Sequence, residues 1–319
     1  MTRRAAPPAV RLPQIEPMLA TAGPMPPDEG WGAEVKWDGA RATVTAPGDG
    51  TVRLLGRRGT DYTARFPDVA AALAEAVPGP AILDGEIVVM GPDGTPSFAL
   101  LQRRLHRARA DTIRAGAAAN PAMYIGFDLL WNGPQALIDL PYTERRRRLE
   151  SLHLNGSAVR VPPAWTEAGG QALAWTKKQQ LEGVILKRLD SSYQPGAHSR
   201  DWIKQKNLST AQVIIGGWLP GGPTAATVRA LLIGVPTDHG LLYSGSVGSG
   251  FTMAERRALA AALRRLDTTV CPFTAPPTGL ERGTHLRYVQ PRLTGEVEYL
   301  ETTHAGMLRQ PTWKGLRET

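Results

Sequence analysis

Along residues 31–44 apolar and polar positions alternate, a period of two that predicts a strand with one buried face. The turn Pro47-Gly48-Asp49-Gly50 follows, then a second strand over 51–55. Residues 67–77 place Val69, Leu73 and Val77 at helical spacing. The remaining pattern to residue 207 predicts strands at 81–90, 123–131, 182–188 and 202–207, and helices at 98–106, 143–152 and 171–180. Residues 1–30, rich in Pro and Ala, read as an extended arm.

The texture changes near residue 208. Strand patterns at 213–219, 228–235, 240–247, 286–289 and 296–302 surround one amphipathic helix at 253–266. Its Leu259, Leu263 and Leu266 share a face opposite Arg256, Arg257, Arg264 and Arg265. Several short strands and one helix in about 110 residues suit a small OB-type barrel. The expected domains are therefore 1–207 and 208–319.

Length and charge narrow the class. A chain of 319 residues suits two ordinary domains. The lone cysteine, Cys271, excludes a disulfide within the chain and fits a reducing compartment. The first residues lack a signal-peptide pattern, and no apolar run approaches a membrane span. The expectation is a cytoplasmic monomer.

The net charge of +8 favours a polyanionic partner. Both halves are basic: 26 basic against 21 acidic residues over 1–207, and 11 against 8 over 208–319. The run Arg145–Arg148, between Glu144 and Glu150 on a helix, reads as a solvated surface face. Only seven lysines occur among the 37 basic residues. Arginine is a poor nucleophile, so a lysine retained against that bias marks a position where arginine will not serve.

Four of those lysines fall in segments that fit one chemistry. Lys36-Trp37-Asp38-Gly39-Ala40-Arg41 offers an amine, a turn and a second cation. To attack a nucleotide phosphate, Lys36 must shed a proton, which nearby positive charge or desolvation favours. Lys204 and Lys206, two apart in one strand, share a face and repel unless an anion lies between them. Glu86 and Glu182 offer carboxylates for a metal, and Phe127 offers a ring for a base. Taken singly, each has a plainer reading: Phe127 as core, the glutamates as strand ends, the lysines as an edge strand. Their joint occurrence in order favours the chemical one.

In that order the segments resemble the motifs of the covalent nucleotidyltransferases, and among them the small ATP-dependent DNA ligases of bacterial end joining (ligase C, or the ligase module of ligase D). The resemblance runs from about residue 13 to 317. It covers the Lys36 motif, Leu55-Gly56-Arg57-Arg58-Gly59, Asp84-Gly85-Glu86, Ile125-Gly126-Phe127-Asp128, residues 182–187 and 202–206, and residues 308–317 near the C-terminus.

The resemblance implies an α+β fold: a nucleotidyltransferase domain of two antiparallel sheets with flanking helices, then an OB-fold. It implies ATP as cofactor, carried as AMP on Lys36, with Mg²⁺ or Mn²⁺. Lys36, Lys204 and Lys206 become the catalytic set. Glu182 and Glu86 support the metal, Glu86 or the ribose. Glu34, Val35, Arg41, Arg57, Phe127 and Lys187 become nucleotide or phosphate contacts. Arg309, Lys314 and Arg317 would face the leaving pyrophosphate after a hinge motion near residues 207–210. The implied substrate is nicked or broken duplex DNA, and a Ku-like end-binding protein is the implied recruiter. Alternatives are an RNA ligase, an RNA-capping-type nucleotidyltransferase, or a weakly active DNA-binding repair module.

Three departures stand out. Gly56 occupies a position where serine is common, and His198 one where arginine is common. His198 reads equally as a loop residue or a ligand contact. The family's last motif continues to a lysine that this sequence does not include, since it stops at Glu318-Thr319. The alternatives are that Lys314 and Arg317 suffice alone, that self-adenylylation is weakened, or that the sequence is a piece of a longer one.

Overall fold

The computed structural model describes residues 10–222, 224–280, 285–300, 302–303 and 305–317. Residues 1–9 of the expected arm, residue 301 of the expected strand and the closing Glu318-Thr319 lie outside them. The chain divides into two compact units with the boundary between Asn207 and Leu208.

The first unit holds two sheets. One orders the strands Leu19–Ala22, His198–Lys206, Gly183–Arg188, Trp31–Val35 and Trp165–Thr166. The other orders Arg53–Gly56, Ala40–Ala46, Ala81–Val89, Ala122–Asn132 and Gln135–Ala136, with Val159–Arg160 paired to Ala122–Asn132. The sheets are antiparallel except for one parallel pairing in each, Leu19–Ala22 on His198–Lys206 and Val159–Arg160 on Ala122–Asn132. Part of the expected arm is thus a strand.

The single strand expected over 31–44 is two strands in different sheets. The alternation persists, but the chain crosses between sheets at residues 36–39. Gly39 permits the crossing: a Cβ there would lie 2.4 Å from the Ile87 carbonyl and 2.7 Å from Cγ of Glu86. The helices Pro67–Ala76, Phe98–Leu105, Tyr142–Glu150 and Gly169–Lys178 fall where periodicity predicts them. Ala110–Ala119 is a further helix, too rich in alanine to show an apolar stripe.

The arginine run departs from its expected surface role. Arg145 and its partner Asp128 are both 0 % exposed, joined by bonds of 2.8 and 3.0 Å. Arg145 also donates to the carbonyls of Leu140 and Ser191. Arg146 is buried against Glu34 and also reaches Glu150. Only Arg147 and Arg148 keep to the outer face, each on Glu144. Charged flanks in sequence cannot distinguish an arginine that binds its own helix from one that crosses to a buried acid.

The second unit is an OB-fold. Its long strand Ser209–Gly221 pairs with Thr227–Thr237 on one side, and with Thr294–Tyr299 and Arg287–Val289 on the other. Gly240–Val247 extends one end, and Thr312–Arg317 the other. A bridge between Ser249 and Thr312 draws the two ends together. The helix Met253–Arg264 starts with a capping box of Thr252 and Glu255 and buries Leu259, Ala260 and Leu263. No helix among the described residues is long and apolar enough to cross a membrane.

Candidate active site

The Lys36 crossing opens onto a cavity of about 230 Å³ in the first unit. Both sheets contribute walls. Glu34, Val35, Lys187 and Lys204 come from the first, Arg41, Glu86 and Phe127 from the second, and Lys36 and Arg57 from the segments that directly follow a strand of each. Sequence reasoning named all nine. Glu182 and Lys206 join through Lys36: its ammonium donates to Oε2 of Glu182, while Lys206 Nζ lies 3.1 Å from Oε1. Lys204 lines the cavity and makes no ion pair among the described residues. The Lys36 N–H donates to Gly183 O at 2.8 Å, which fixes where the lysine leaves its strand.

Beneath the cavity lies a buried charge network. Glu34 Oε1 accepts from Tyr142 Oη at 2.5 Å and Arg146 Nη1 at 3.2 Å, and Oε2 from Lys187 Nζ at 2.8 Å. Lys187 also donates to the Phe127 carbonyl at 3.0 Å. Its ammonium stands 4.3 to 4.8 Å from the rings of Trp202, Phe127 and Tyr142. Burial pushes the Lys187 ammonium down, while Glu34 and Asp128 hold it up. Two of its donor directions thus end on Glu34 and the Phe127 carbonyl, and the residue still lines the cavity.

Arg41 is similarly engaged. It donates twice to Asp84, at 2.5 Å each, and to Met18 O at 3.1 Å. Tyr193 Oη adds a third bond to Asp84 at 2.6 Å. Asp84 raises the Arg41 guanidinium above its ordinary value, against burial, which pushes the other way. The guanidinium carbon sits 4.5 Å from the Phe127 centroid, so Phe127 is both a cavity wall and a cation-bearing ring. Arg57 is exposed at the mouth.

Two departures acquire physical explanations. A Cβ on Gly56 would meet the Tyr62 ring at 2.6 Å, so a serine would need Tyr62 to move. His198 is a strand residue, paired with Leu19, and it lines the cavity. In the second unit Lys314 pairs with Glu298 at 3.0 Å and Arg317 with Glu296 at 2.8 Å. Arg309 lies just before them in that unit.

Glu86 is pushed up to about 8, chiefly by burial; Arg41 and Lys36 oppose the rise, and Asp84 and Glu182 add to it. This is a carboxyl short of positive charge. No group of three or more acidic, His or Cys side chains among the described residues forms a complete metal cage. Two carboxylates, completed by phosphate oxygens and water, are the donor set that suits Mg²⁺. The residues present therefore fit a divalent cation at Glu86 and Glu182.

Sequence reasoning missed the supports of this site. Asp84, Tyr193, Tyr142, Arg146, Trp37 and Trp202 all touch it or its lining residues. Asp84 carried a signal, an acid within an apolar strand that needs a buried cation. Trp37 and Trp202 stand inside the Lys36 and Lys204 segments, while Tyr142, Arg146 and Tyr193 are distant in sequence from the acids they touch.

Comparison with known proteins follows the same division. A family model described as ATP dependent DNA ligase domain matches residues 17–206, and one described as ATP dependent DNA ligase C terminal region matches residues 224–319. The chain is 38 % identical over 305 residues to the multifunctional non-homologous end joining protein LigD of Mycolicibacterium smegmatis, covering 94 % of this chain and 38 % of that protein. The chain thus spans well under half the length of those multifunctional relatives. It is 36 % identical over 271 residues to DNA ligase C2 of the same organism, covering 83 % of this chain and 73 % of that one. The structure of a mycobacterial DNA ligase D complexed with ATP and MES superposes with a TM-score of 0.56 at 38 % identity, over 95 % of each chain.

Proposed function

The chain belongs to the ATP-dependent DNA ligases, and from that premise we propose that it joins a 5′-phosphate to a 3′-hydroxyl in duplex DNA through AMP carried on Lys36. The observation that carries this is the placement of Lys36 at a sheet crossing, against Glu182 and inside a cavity with Lys204, Glu86 and Phe127.

In the first step Lys36 Nζ loses a proton and bonds to the α-phosphorus of ATP. The α–β phosphoanhydride bond breaks, and pyrophosphate takes the electron pair. Lys204, with no competing carboxylate, and Lys206 supply positive charge to the α-phosphate. Glu86 and Glu182 would hold Mg²⁺ or Mn²⁺, which supplies charge to the phosphate oxygens when bound. The Phe127 ring and Val35 bound the base and Glu34 reads its edge, with Lys187, Arg146 and Tyr142 fixing the carboxylate. In the second step the 5′-phosphate of DNA attacks the AMP phosphorus and frees Lys36. Arg57, at the mouth, meets that phosphate, and Arg41 acts from its seat on Asp84. In the third step the 3′-hydroxyl attacks the activated 5′-phosphate, and AMP leaves.

Arg309, Lys314 and Arg317 serve the departure of pyrophosphate, the last two by exchanging Glu298 and Glu296 for phosphate. The protein works in the cytoplasm as a monomer, with a Ku-like end-binding protein as recruiter. The test is sealing of a nicked duplex with ATP or GTP, and of the same duplex pre-adenylylated without nucleotide. ATP-dependent sealing is expected. Failure with both substrates overturns the enzyme in favour of a binding module, and a preference for GTP overturns the base reading.

A further inference from the structure

Glu182, the carboxylate shared by Lys36 and Lys206, stands at the end of a tight connection. The helix Gly169–Lys178 closes shortly before it, and the strand Gly183–Arg188 begins directly after it. Between them Gln180 has φ +56°, the left-handed region in which a side chain is strained. Backbone bonds turn the chain back on the helix: the Gln180 N–H donates to Lys177 O at 3.1 Å, and the Leu181 N–H to Thr176 O at 2.9 Å. These bonds tie the turn to its own helix. They do not tie it to the strand that carries Lys204 and Lys206.

Asn207 makes that tie. Its backbone N–H donates to Glu182 O at 2.9 Å. Its side-chain amide donates to Leu181 O at 2.9 Å and to Thr176 Oγ1 at 3.0 Å. Thr176 is fully buried and passes its own hydrogen to Leu173 O at 2.8 Å. The strand ladder already pairs Gly183 with Lys206, so the bond from Asn207 to Glu182 extends it by one step. On the other side, Gly183 O accepts from the Lys36 N–H. The backbone around Glu182 is therefore pinned to the segments of both lysines that its carboxylate meets.

The plainer reading of Asn207 is an amide that satisfies leftover groups at a helix end. Its place in the chain goes further. Asn207 is the last residue of the first unit, and Leu208 opens the second. The strand His198–Lys206 has no later residue of its own unit to hold its end. Asn207 is the final tie between Lys206 and the turn that presents Glu182.

We infer that Asn207 is a positioning residue for self-adenylylation, holding Glu182 and Lys206 in register with Lys36. The inference rests on the ligase reading above. Asn207 acts through Glu182 and touches no reacting atom.

The test is single-turnover transfer of AMP from α-labelled ATP to wild type, Asn207→Leu, Thr176→Val and Thr176→Ser. Leucine keeps the approximate shape of Asn207 and removes the amide. The rate is expected to fall about tenfold in Asn207→Leu, the scale of lost buried hydrogen bonds. The ATP concentration that gives half the maximal rate should not move, because Glu34, Phe127 and Lys187 make no bond to Asn207. Thr176→Val is expected to slow transfer and Thr176→Ser, which keeps the hydroxyl, to restore it. In a Glu182→Gln background Asn207→Leu should cost nothing further. An asparagine that only supports the fold would lower the labelled fraction at an unchanged rate, or slow transfer equally with and without Glu182; either result overturns the inference. Amide hydrogen exchange is measured without ATP. Faster exchange at Lys36 and Leu181 is expected in Asn207→Leu, with protection elsewhere unchanged. Unchanged exchange at both overturns the tie. Absence of label in wild type counts against the ligase reading, while the exchange result decides the tie by itself.

Discussion

Glu34 and Lys187, 2.8 Å apart and both buried, form an ion pair on the floor of the cavity that Lys36 lines. The pair fixes the Glu34 carboxylate on one side, as Tyr142 and Arg146 do on the other. Removing the lysine leaves a buried carboxylate with fewer cations. Lys187→Met is expected to lower stability by about 3–5 kcal/mol, measured by urea unfolding. Lys187→Arg should not rescue it, because the ammonium stands within 4.8 Å of three ring centroids and a guanidinium is larger. Unchanged stability in both variants would remove the floor from this account.

Glu182 joins Lys36 to Lys206 and is also the proposed metal support. Glu182→Gln keeps the shape and removes the charge. Single-turnover transfer of AMP to the protein is expected to slow by about 10²–10³-fold, the range for losing one preorganised charge contact. A rate within a few-fold of wild type would exclude Glu182 from the chemistry.

Glu86 sets a pH dependence. Its carboxyl titrates near 8 in the folded protein, mainly through burial, against an ordinary value of 4.5. The native state therefore binds this proton more tightly than the unfolded chain. The associated stability is fully present below pH 4.5 and is lost as pH rises through 8. Without metal or nucleotide, Glu86→Gln is expected to be more stable than wild type at pH 9 by about 2–4 kcal/mol, with the gap closing towards pH 5. Urea unfolding at the two pH values measures it, and a constant gap contradicts the burial argument.

Much of this was legible in sequence because periodicity and motif order are local. Lys36, Glu86, Phe127, Glu182 and Lys204 each sit in a short segment whose residue types suggest a role. What was hidden is carried by contacts between distant segments. Tyr142 and Arg146 reach Glu34 across 108 and 112 positions, and a run of arginines beside glutamates gives no sign that two of them turn inward. The sheet change after Val35 was invisible for another reason. Alternation tells which face a residue takes, not which sheet it joins, and only the space denied to a Cβ at Gly39 reveals the crossing. The closing strand Thr312–Arg317 was read as chemistry and not as structure. Its lysine and arginine do structural work on Glu298 and Glu296.

Lys36 is the residue proposed to carry AMP. The direct measurement is incubation with α-labelled ATP and Mg²⁺, followed by denaturation, proteolysis and mass analysis of the labelled peptide. Label is expected on the peptide containing Lys36 in wild type, released by nicked DNA, and none in Lys36→Arg. Label retained in Lys36→Arg, or found on another lysine in wild type, would contradict it.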